Sequence, residues 1–224
     1  MPFPTRLDIL PPGQRKLWPF LSPLKDMGYC LYGGTALALR YGHRQSVDFD
    51  FFSDRPLDEK GLGISLPWLT VATILRNDPG TFVVLASPPR SKRAVKVSLF
   101  GELSLGRVGI PELTSDGVVL AASVRDLMAT KLKALFDRVE PRDYLDIAAM
   151  LRNKVSLPQG LADARVLFGN FFSAAECMRI LCWFDDPDLA SLPDHVKRTL
   201  AKEVKTAWDK PLPPSKKAGS GLAI

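Results

Sequence analysis

The sequence of 224 residues contains only three cysteines and two histidines. Cys30, Cys177 and Cys182 are odd in number and show no paired spacing, which argues against disulfides and favours a reduced, cytoplasmic protein. Two histidines are too few for an ordinary zinc site. No apolar run approaches the roughly 20 residues of a membrane-spanning helix, and the N-terminus lacks the apolar core of a signal peptide. The sequence therefore predicts neither a membrane span nor secretion.

The composition is that of a folded, basic protein. Hydrophobic residues make up 46% of the chain, which suffices for one α/β domain, alone or with a helical part. The net charge is +6 and the isoelectric point is about 9.3. This charge is compatible with a polyanionic partner such as nucleic acid, although many equally basic proteins have none.

The most informative stretch runs from residue 28 to residue 52. An apolar run over 29–32 predicts a strand. Gly33-Gly34-Thr35 interrupts it and opens a short helix over 36–40. A second strand is predicted over 47–52.

This second strand carries two carboxylates. Because side chains alternate along a strand, Asp48 and Asp50 point to one face, whereas Phe49 and Phe51 point to the other. Two neighbouring carboxylates on so apolar a strand repel each other and cost on the order of several kcal/mol unless a cation lies between them. A Mg²⁺ ion would relieve that cost and bridge to substrate phosphates. The alternative to a metal site is a solvated edge strand whose carboxylates bind no ion.

The glycine bend has a complementary property. Gly33 and Gly34 lack side chains, so their backbone N–H groups can approach a phosphate, and the helix that follows adds a favourable dipole. With Thr35, they form a candidate cradle for the β- and γ-phosphates of a nucleotide. A glycine pair alone is most often a turn, but its combination with the acidic pair points to nucleotide chemistry.

Two β-rich runs, 81–86 and 94–100, flank a basic loop over 88–93 and predict a pair of neighbouring strands. On the second run, Lys96 and Ser98 lie on the face opposite to the apolar residues. Lys96 is either a phosphate-neutralising group or an exposed strand charge.

The remaining periodicity is mainly helical. Helices are predicted over 12–27, 66–75, 123–139, 142–152, 174–184 and 196–208, and short extended segments over 103–110 and 118–121.

The chain resembles the AbiEii/AbiGii toxin family of nucleotidyltransferases, within the DNA polymerase beta-like superfamily. Residues 33–35 and 46–52 (Ser-Val-Asp-Phe-Asp-Phe-Phe) carry the resemblance most specifically. Residues 124–132 and the Arg-Asp-x-x-Asp pattern of 142–146 support it in the family order. The resemblance covers about residues 12–155.

The resemblance implies an α/β (α+β) fold, with a nucleotidyltransferase-like mixed sheet flanked by helices and a C-terminal helical part. We expect a core over 1–122, a helical part over 123–210 packed on it, and a flexible tail over 211–224.

The resemblance also implies a set of site residues. Asp48 and Asp50 would hold Mg²⁺, or Mn²⁺, and Lys131 would contact the nucleotide phosphates. Asp143 or Asp146 would hold Lys131 or accept the proton of the acceptor. A local account of these two acids is also sufficient, since Asp146 can pair with Arg142 and Asp143 suits a helix start.

One position departs from the superfamily pattern. Members commonly carry a third carboxylate on the strand that here contains Ser98. This departure puts a conventional two-metal centre in doubt.

The implied function is metal-dependent transfer of a nucleoside monophosphate from an NTP to an acceptor, with the tRNA 3′ end as the implied acceptor. The setting would be the toxin half of a toxin–antitoxin or phage-defence pair with a separate antitoxin protein. Two alternatives stay open: a degenerate module that only binds nucleotide or RNA, and a transferase acting on a protein or small-molecule hydroxyl.

Overall fold

The computed structural model describes residues 2–88, 91 and 93–223. The basic loop predicted over 88–93 therefore lies partly outside the described residues. The chain divides into two compact units. The first, which we call the sheet unit, comprises Met1–Gly106, Ile110–Ala122 and Gly219–Ile224. The second, the helical unit, comprises Arg107–Gly109 and Ser123–Ala218.

The sheet unit is built on a seven-stranded mixed sheet with the strand order β3-β4-β5-β2-β1-β7-β6. Its strands are β1 (Cys30–Tyr32), β2 (Asp48–Phe52), β3 (Thr73–Asp78), β4 (Thr81–Ala86), β5 (Val95–Phe100), β6 (Glu112–Leu113) and β7 (Leu120–Ala121). β2 runs antiparallel to β1 and parallel to β5. Four helices belong to this unit: α1 (Pro12–Leu17), α2 (Pro23–Asp26), α3 (Gly33–Tyr41) and α4 (Glu59–Ser65).

The predicted alternation along β2 is confirmed. Phe49 and Phe51 are fully buried, whereas Asp48 and Asp50 are only half-buried. The ring centroid of Trp18 lies 5.9 Å from that of Phe49, so Trp18 helps to cover this apolar face. The core therefore fixes β2 and leaves its acidic side chains on the opposite face.

Two predicted elements differ from the structure. The helix predicted over 66–75 is instead a 3-10 turn, Pro67–Val71, followed by β3. All six β3 residues are exposed, so main-chain pairing with β4 determines this strand and its side chains show no apolar period. Residues 103–110 contain a turn, bends and an isolated bridge position at Arg107, but no strand.

The helix predicted over 12–27 is divided into three pieces. A 3-10 turn, Trp18–Leu21, separates α1 from α2. Prolines occupy the first turn of each piece, where the missing N–H is tolerated, and they interrupt the hydrogen bonding of one continuous helix.

The helical unit contains α5 (Val124–Asp137), α6 (Pro141–Arg152), α7 (Leu157–Phe168), α8 (Ala174–Cys182) and α9 (Asp194–Ala207). Ser123, Ser156 and Ser173 cap the starts of α5, α7 and α8 through their hydroxyl oxygens. Short 3-10 turns occupy Leu7–Ile9 in the sheet unit, and Gly169–Phe171 and Pro187–Leu189 in the helical unit. Among the described residues, every helix is too short or too polar to cross a bilayer.

Residues 211–223, within the predicted tail over 211–224, make specific contacts in the structure. Within the helical unit, Ser215 Oγ donates to Asp163 Oδ1 at 2.5 Å, and the Ala218 N–H donates to the Arg107 carbonyl at 2.7 Å. Within the sheet unit, Leu222 is fully buried. Specific contacts of this kind are not visible in the composition of a segment rich in Pro, Ser and Lys.

Candidate active site

The glycine bend follows β1 directly and forms the start of α3. Gly33 has a φ of +72°, which a residue with a Cβ rarely adopts. A Cβ built on Gly33 would lie 2.7 Å from Oδ2 of Asp50. The absence of a side chain at this bend therefore makes room for the Asp50 carboxylate.

A neighbouring hydroxyl group fixes the same bend to the acidic strand. Thr35 is 1% exposed, and its Oγ1 donates to the backbone carbonyl of Asp48. The Thr35 side chain is thus engaged in holding α3 against β2. The hydrogen bond leaves the carboxylate of Asp48 on the open face of the strand.

The register of the sheet sets the next neighbours. Asp48 pairs with Lys96 and Asp50 pairs with Ser98 across the parallel β2 and β5 strands. Lys96 Nζ lies 3.4 Å from Asp48 Oδ2, with 42% of the lysine side chain and 34% of the aspartate side chain exposed. Ser98 is only 2% exposed. An ammonium group thus stands beside one carboxylate, and a buried hydroxyl stands in the strand position beside the other.

The space over Gly34 is bounded by two residues that sequence reasoning did not assign to the site. A Cβ on Gly34 would lie 2.5 Å from Nη2 of Arg44 and 3.0 Å from Oγ of Ser46. Arg44 Nη1 also donates to the Gln45 carbonyl at 3.0 Å. A guanidinium group is a strong phosphate donor. The available signal was its place in the loop that joins the glycine bend to the acidic strand.

These residues have the donor chemistry that a hard divalent cation requires. Asp48 and Asp50 offer carboxylate oxygens from one face of β2, and the Gly33 position leaves room for one of them. Across the described ranges, no group of three or more His, Cys, Asp and Glu side chains gathers in a metal-binding arrangement. The pair therefore fits Mg²⁺ as a partial ligand set that waters and substrate phosphates would complete.

A second charged cluster lies in the helical unit. Lys131 Nζ of α5 lies 2.6 Å from Asp143 Oδ1 and 2.7 Å from Asp146 Oδ2, both on α6. The side chain of Lys131 is 10% exposed, and those of the two aspartates are 1% and 0% exposed. Arg138 Nε contacts the other oxygen of Asp143 at 3.1 Å. Two cations thus balance two buried carboxylates.

The start of α5 carries another buried carboxylate. Asp126 accepts hydrogen bonds from the backbone N–H groups of Val108 and Gly109 and from the Ser123 hydroxyl. Burial raises the pKa of Asp126 above its ordinary value, and these hydrogen bonds oppose the shift. The network holds residues 107–109 to the first turn of α5.

The residues predicted for the site therefore fall into two groups. Those in the sheet unit come together on α3, β2 and β5: Gly33, Gly34, Thr35, Asp48, Asp50 and Lys96. Those in the helical unit are joined by direct ion pairs: Lys131, Asp143 and Asp146.

A mixed sheet with an acidic pair facing a glycine bend is the arrangement of a nucleotidyltransferase fold. Two solved structures share this fold. MenT4, a nucleotidyltransferase toxin from Mycobacterium tuberculosis H37Rv, superposes with a TM-score of 0.62 at 13% identity, covering 86% of this chain and 81% of that one. A crystal structure from H. pylori, provisionally assigned as a nucleotidyltransferase, gives a TM-score of 0.57 at 18% identity, covering 88% and 95%.

The family follows from the sequence comparison. The family model described as "Nucleotidyl transferase AbiEii toxin, Type IV TA system" matches residues 22–218, and the chain belongs to this family. A relative known as uncharacterized protein aq_aa25, from Aquifex aeolicus (strain VF5), is 30% identical over 138 residues. That match covers 59% of this chain and 64% of the relative.

Proposed function

We propose that this protein is a toxin that transfers a nucleoside monophosphate from an NTP to an acceptor hydroxyl. The observation that supports this most directly is the apposition of Asp50 to the bend at Gly33. It brings a candidate metal-binding carboxylate to the side-chain-free bend at the start of α3. A nucleoside triphosphate presents the matching groups, since its phosphates bind both a divalent cation and backbone donors.

In the proposed reaction, the acceptor oxygen forms a bond to the α-phosphorus while the bond from that phosphorus to the bridging oxygen of the β-phosphate breaks. The proton of the acceptor hydroxyl passes to solvent water, and the electron pair of the broken bond leaves with pyrophosphate. Asp48 and Asp50 would hold Mg²⁺ or Mn²⁺. When bound, the metal supplies positive charge to the α-phosphate and aligns the reacting oxygens.

The other residues bind and orient the substrate. Backbone N–H groups of Gly33, Gly34 and Thr35 would cradle the β- and γ-phosphates once the Arg44 guanidinium, which lies over Gly34, shifts onto the phosphate. Lys96 and Arg44 would add positive charge on the sheet unit. Lys131 would bind phosphate if it exchanges part of its pairing with Asp143 and Asp146, which otherwise position its ammonium group.

We infer a single divalent cation for this site. Ser98, which is not a carboxylate, pairs with Asp50 in the strand register, and the Lys96 ammonium already stands beside Asp48. A fixed ammonium group at that place would supply the positive charge that a second metal ion supplies in a two-metal site.

For the acceptor, we propose the 3′ end of tRNA. The proposed setting is the cytoplasm, in a toxin–antitoxin or phage-defence pair with a separate antitoxin protein. The family description supports the toxin role, and the net charge of +6 suits a polyanionic acceptor.

The test is incubation of the purified protein with each α-labelled NTP, Mg²⁺ and total tRNA. Label should move to tRNA, and the Asp48→Asn and Asp50→Asn variants should lose this transfer. A catalytically degenerate nucleotide- or RNA-binding module is the second candidate, which Ser98 and the Asp48–Lys96 pair favour. It predicts NTP binding without any labelled product. Label on protein would instead identify a transferase that modifies protein hydroxyls.

A further inference from the structure

An open groove of about 530 Å³ lies between α8 and α9 in the helical unit. Its apolar lining includes Met178, Val204 and two tryptophans, Trp183 and Trp208. These tryptophans remain 53% and 44% exposed. Indole rings have large apolar faces that are ordinarily covered, so two half-exposed rings in one concavity indicate a binding surface.

The polar groups of this groove are mostly cationic. Arg179 from α8 and Lys205 from α9 line it, and Asp209 is the one acidic residue among the described lining residues. Nearby, the ammonium group of Lys197 lies 5.8 Å from the ring centroid of Phe184. The surface therefore interleaves aromatic faces with positive charges, and cations outnumber carboxylates among the lining residues.

Unpaired nucleotides have the complementary chemistry. A nucleobase offers a flat π-face that stacks on an aromatic ring, and the adjoining phosphate offers a negative charge to Arg or Lys. A paired duplex hides its base faces inside the stack and cannot use the tryptophans in this way. An acidic protein segment could use the cations, but it would gain less from two open indole rings.

We propose that the α8–α9 groove is a binding site for unpaired RNA nucleotides, with Trp183 and Trp208 as stacking platforms and Arg179 and Lys205 as phosphate contacts. The identity of this RNA as the acceptor rests on the proposed function. The binding step itself requires neither NTP nor metal, because every group that carries it lies on α8, α9 and the residues that follow them.

The test measures fluorescence anisotropy of labelled eight-nucleotide RNA strands with the full chain, without NTP or divalent metal. We expect single strands to bind more tightly than a duplex of equal length. Trp183→Ala and Trp208→Ala should each weaken binding by about tenfold. The matched control is Phe171→Ala, which removes a ring that is 83% exposed in another part of the helical unit. It should leave the affinity unchanged.

The charged residues are tested separately. Arg179→Gln and Lys205→Gln should each reduce the slope of log affinity against log salt by about one. Lys202→Gln removes the same charge from an exposed position of α9 that is not among the described lining residues, and it should not change the slope. Circular dichroism of each variant establishes that the helices are retained.

Three outcomes would overturn the proposal: equal weakening by the groove and control substitutions, preference for duplex, or tryptophan variants that change the oligomeric state but not RNA affinity. The last would assign the groove to a second copy of this chain. The Asp48→Asn variant separates the two proposals, since it should retain RNA binding. In the native protein, groove-dependent RNA binding without any nucleotidyl transfer supports the groove and rejects the proposed function, whereas transfer without groove-dependent binding does the reverse.

Discussion

Oδ2 of Asp50 lies 2.7 Å from the point at which a Cβ on Gly33 would stand. The backbone of Gly33 has a φ of +72°, so two separate constraints favour glycine there. The first is conformational and would apply to any left-handed turn. The second is specific to this site, because a methyl group would displace the carboxylate that is proposed to hold the metal.

The Gly33→Ala variant should therefore lose both stability and ligand binding. Left-handed backbone strain should lower the free energy of unfolding by about 1–2 kcal/mol, and displacement of Asp50 should abolish Mn²⁺ and NTP binding. Gly117→Ala is the matched control, since Gly117 has a φ of +74° with nothing within 4 Å of its added Cβ. Urea unfolding and calorimetric titration measure the two effects. Normal Mn²⁺ binding by Gly33→Ala would show that Asp50 has no role in holding the metal.

The acidic face of the site was predictable because its cause is local. A strand period of two places Asp48 and Asp50 together, and the buried Phe49 and Phe51 enforce that placement. The nucleotidyltransferase fold and family also followed from these motifs, and the comparisons confirm both.

The partners of these carboxylates were harder to predict. Lys96 meets Asp48 through the register of two strands that are far apart in sequence, and only the assembled sheet defines that register. Arg44 lies over Gly34 through the conformation of a loop that has no periodicity. β3 was missed for a related reason, because side chains exposed on both faces carry no apolar pattern.

The Asp48–Lys96 pair leads to a prediction about metal affinity. Lys96→Met removes an ammonium group 3.4 Å from Asp48, so a divalent cation should bind about two- to tenfold more tightly. The effect is modest because both side chains are partly exposed. If Lys96 also neutralises a phosphate, the same substitution should weaken NTP binding. Mn²⁺ titration followed by electron paramagnetic resonance measures affinity and stoichiometry.

A matched variant removes the same charge elsewhere. Lys60 is an exposed residue of α4 in the same unit, and Lys60→Met should leave Mn²⁺ affinity unchanged. Titration of the native protein should give one bound ion. Two bound ions of similar affinity would contradict the single-cation inference. Unchanged affinity in Lys96→Met would show that the ammonium group does not compete with the metal.

The buried Lys131 cluster should dominate the stability of the helical unit. Lys131→Met leaves the carboxylates of Asp143 and Asp146 buried without their shared ammonium group, at a cost of about 3–5 kcal/mol. Lys133→Met breaks the pair with Asp137, whose side chain is 62% exposed, and a long contact of the ammonium with the Phe136 ring, and it should cost less than about 1 kcal/mol. Urea unfolding compares the two.

A second substitution distinguishes this electrostatic explanation from simple loss of packing. Adding Asp146→Asn to Lys131→Met removes one of the stranded charges and should restore part of the lost stability. If Lys131→Met alone lowers the free energy of unfolding no more than Lys133→Met does, then Arg138 or solvent adequately balances the two aspartates. Transfer activity of these variants should be compared at temperatures at which each variant is fully folded.

The carboxylate of Asp126 should make stability depend on pH in an unusual direction. Burial raises its pKa above 3.8 in the folded protein, so the folded state binds a proton before the unfolded chain does as pH falls. Its contribution to stability is therefore fully present below about 3.8 and is lost as pH rises through the folded value. The free energy of unfolding of the native protein, relative to Asp126→Asn, should increase as pH falls from 7 toward 3.8.

Urea unfolding of both proteins across this range measures the difference, and the subtraction removes the contributions of other carboxylates. Asp137→Asn removes the same charge from the exposed end of α5 and corrects for the change in net charge. A difference that instead grows as pH rises would mean that the hydrogen bonds from Val108, Gly109 and Ser123 outweigh burial. In that case the link between residues 107–109 and α5 would be strongest with Asp126 ionised, and low pH would loosen it.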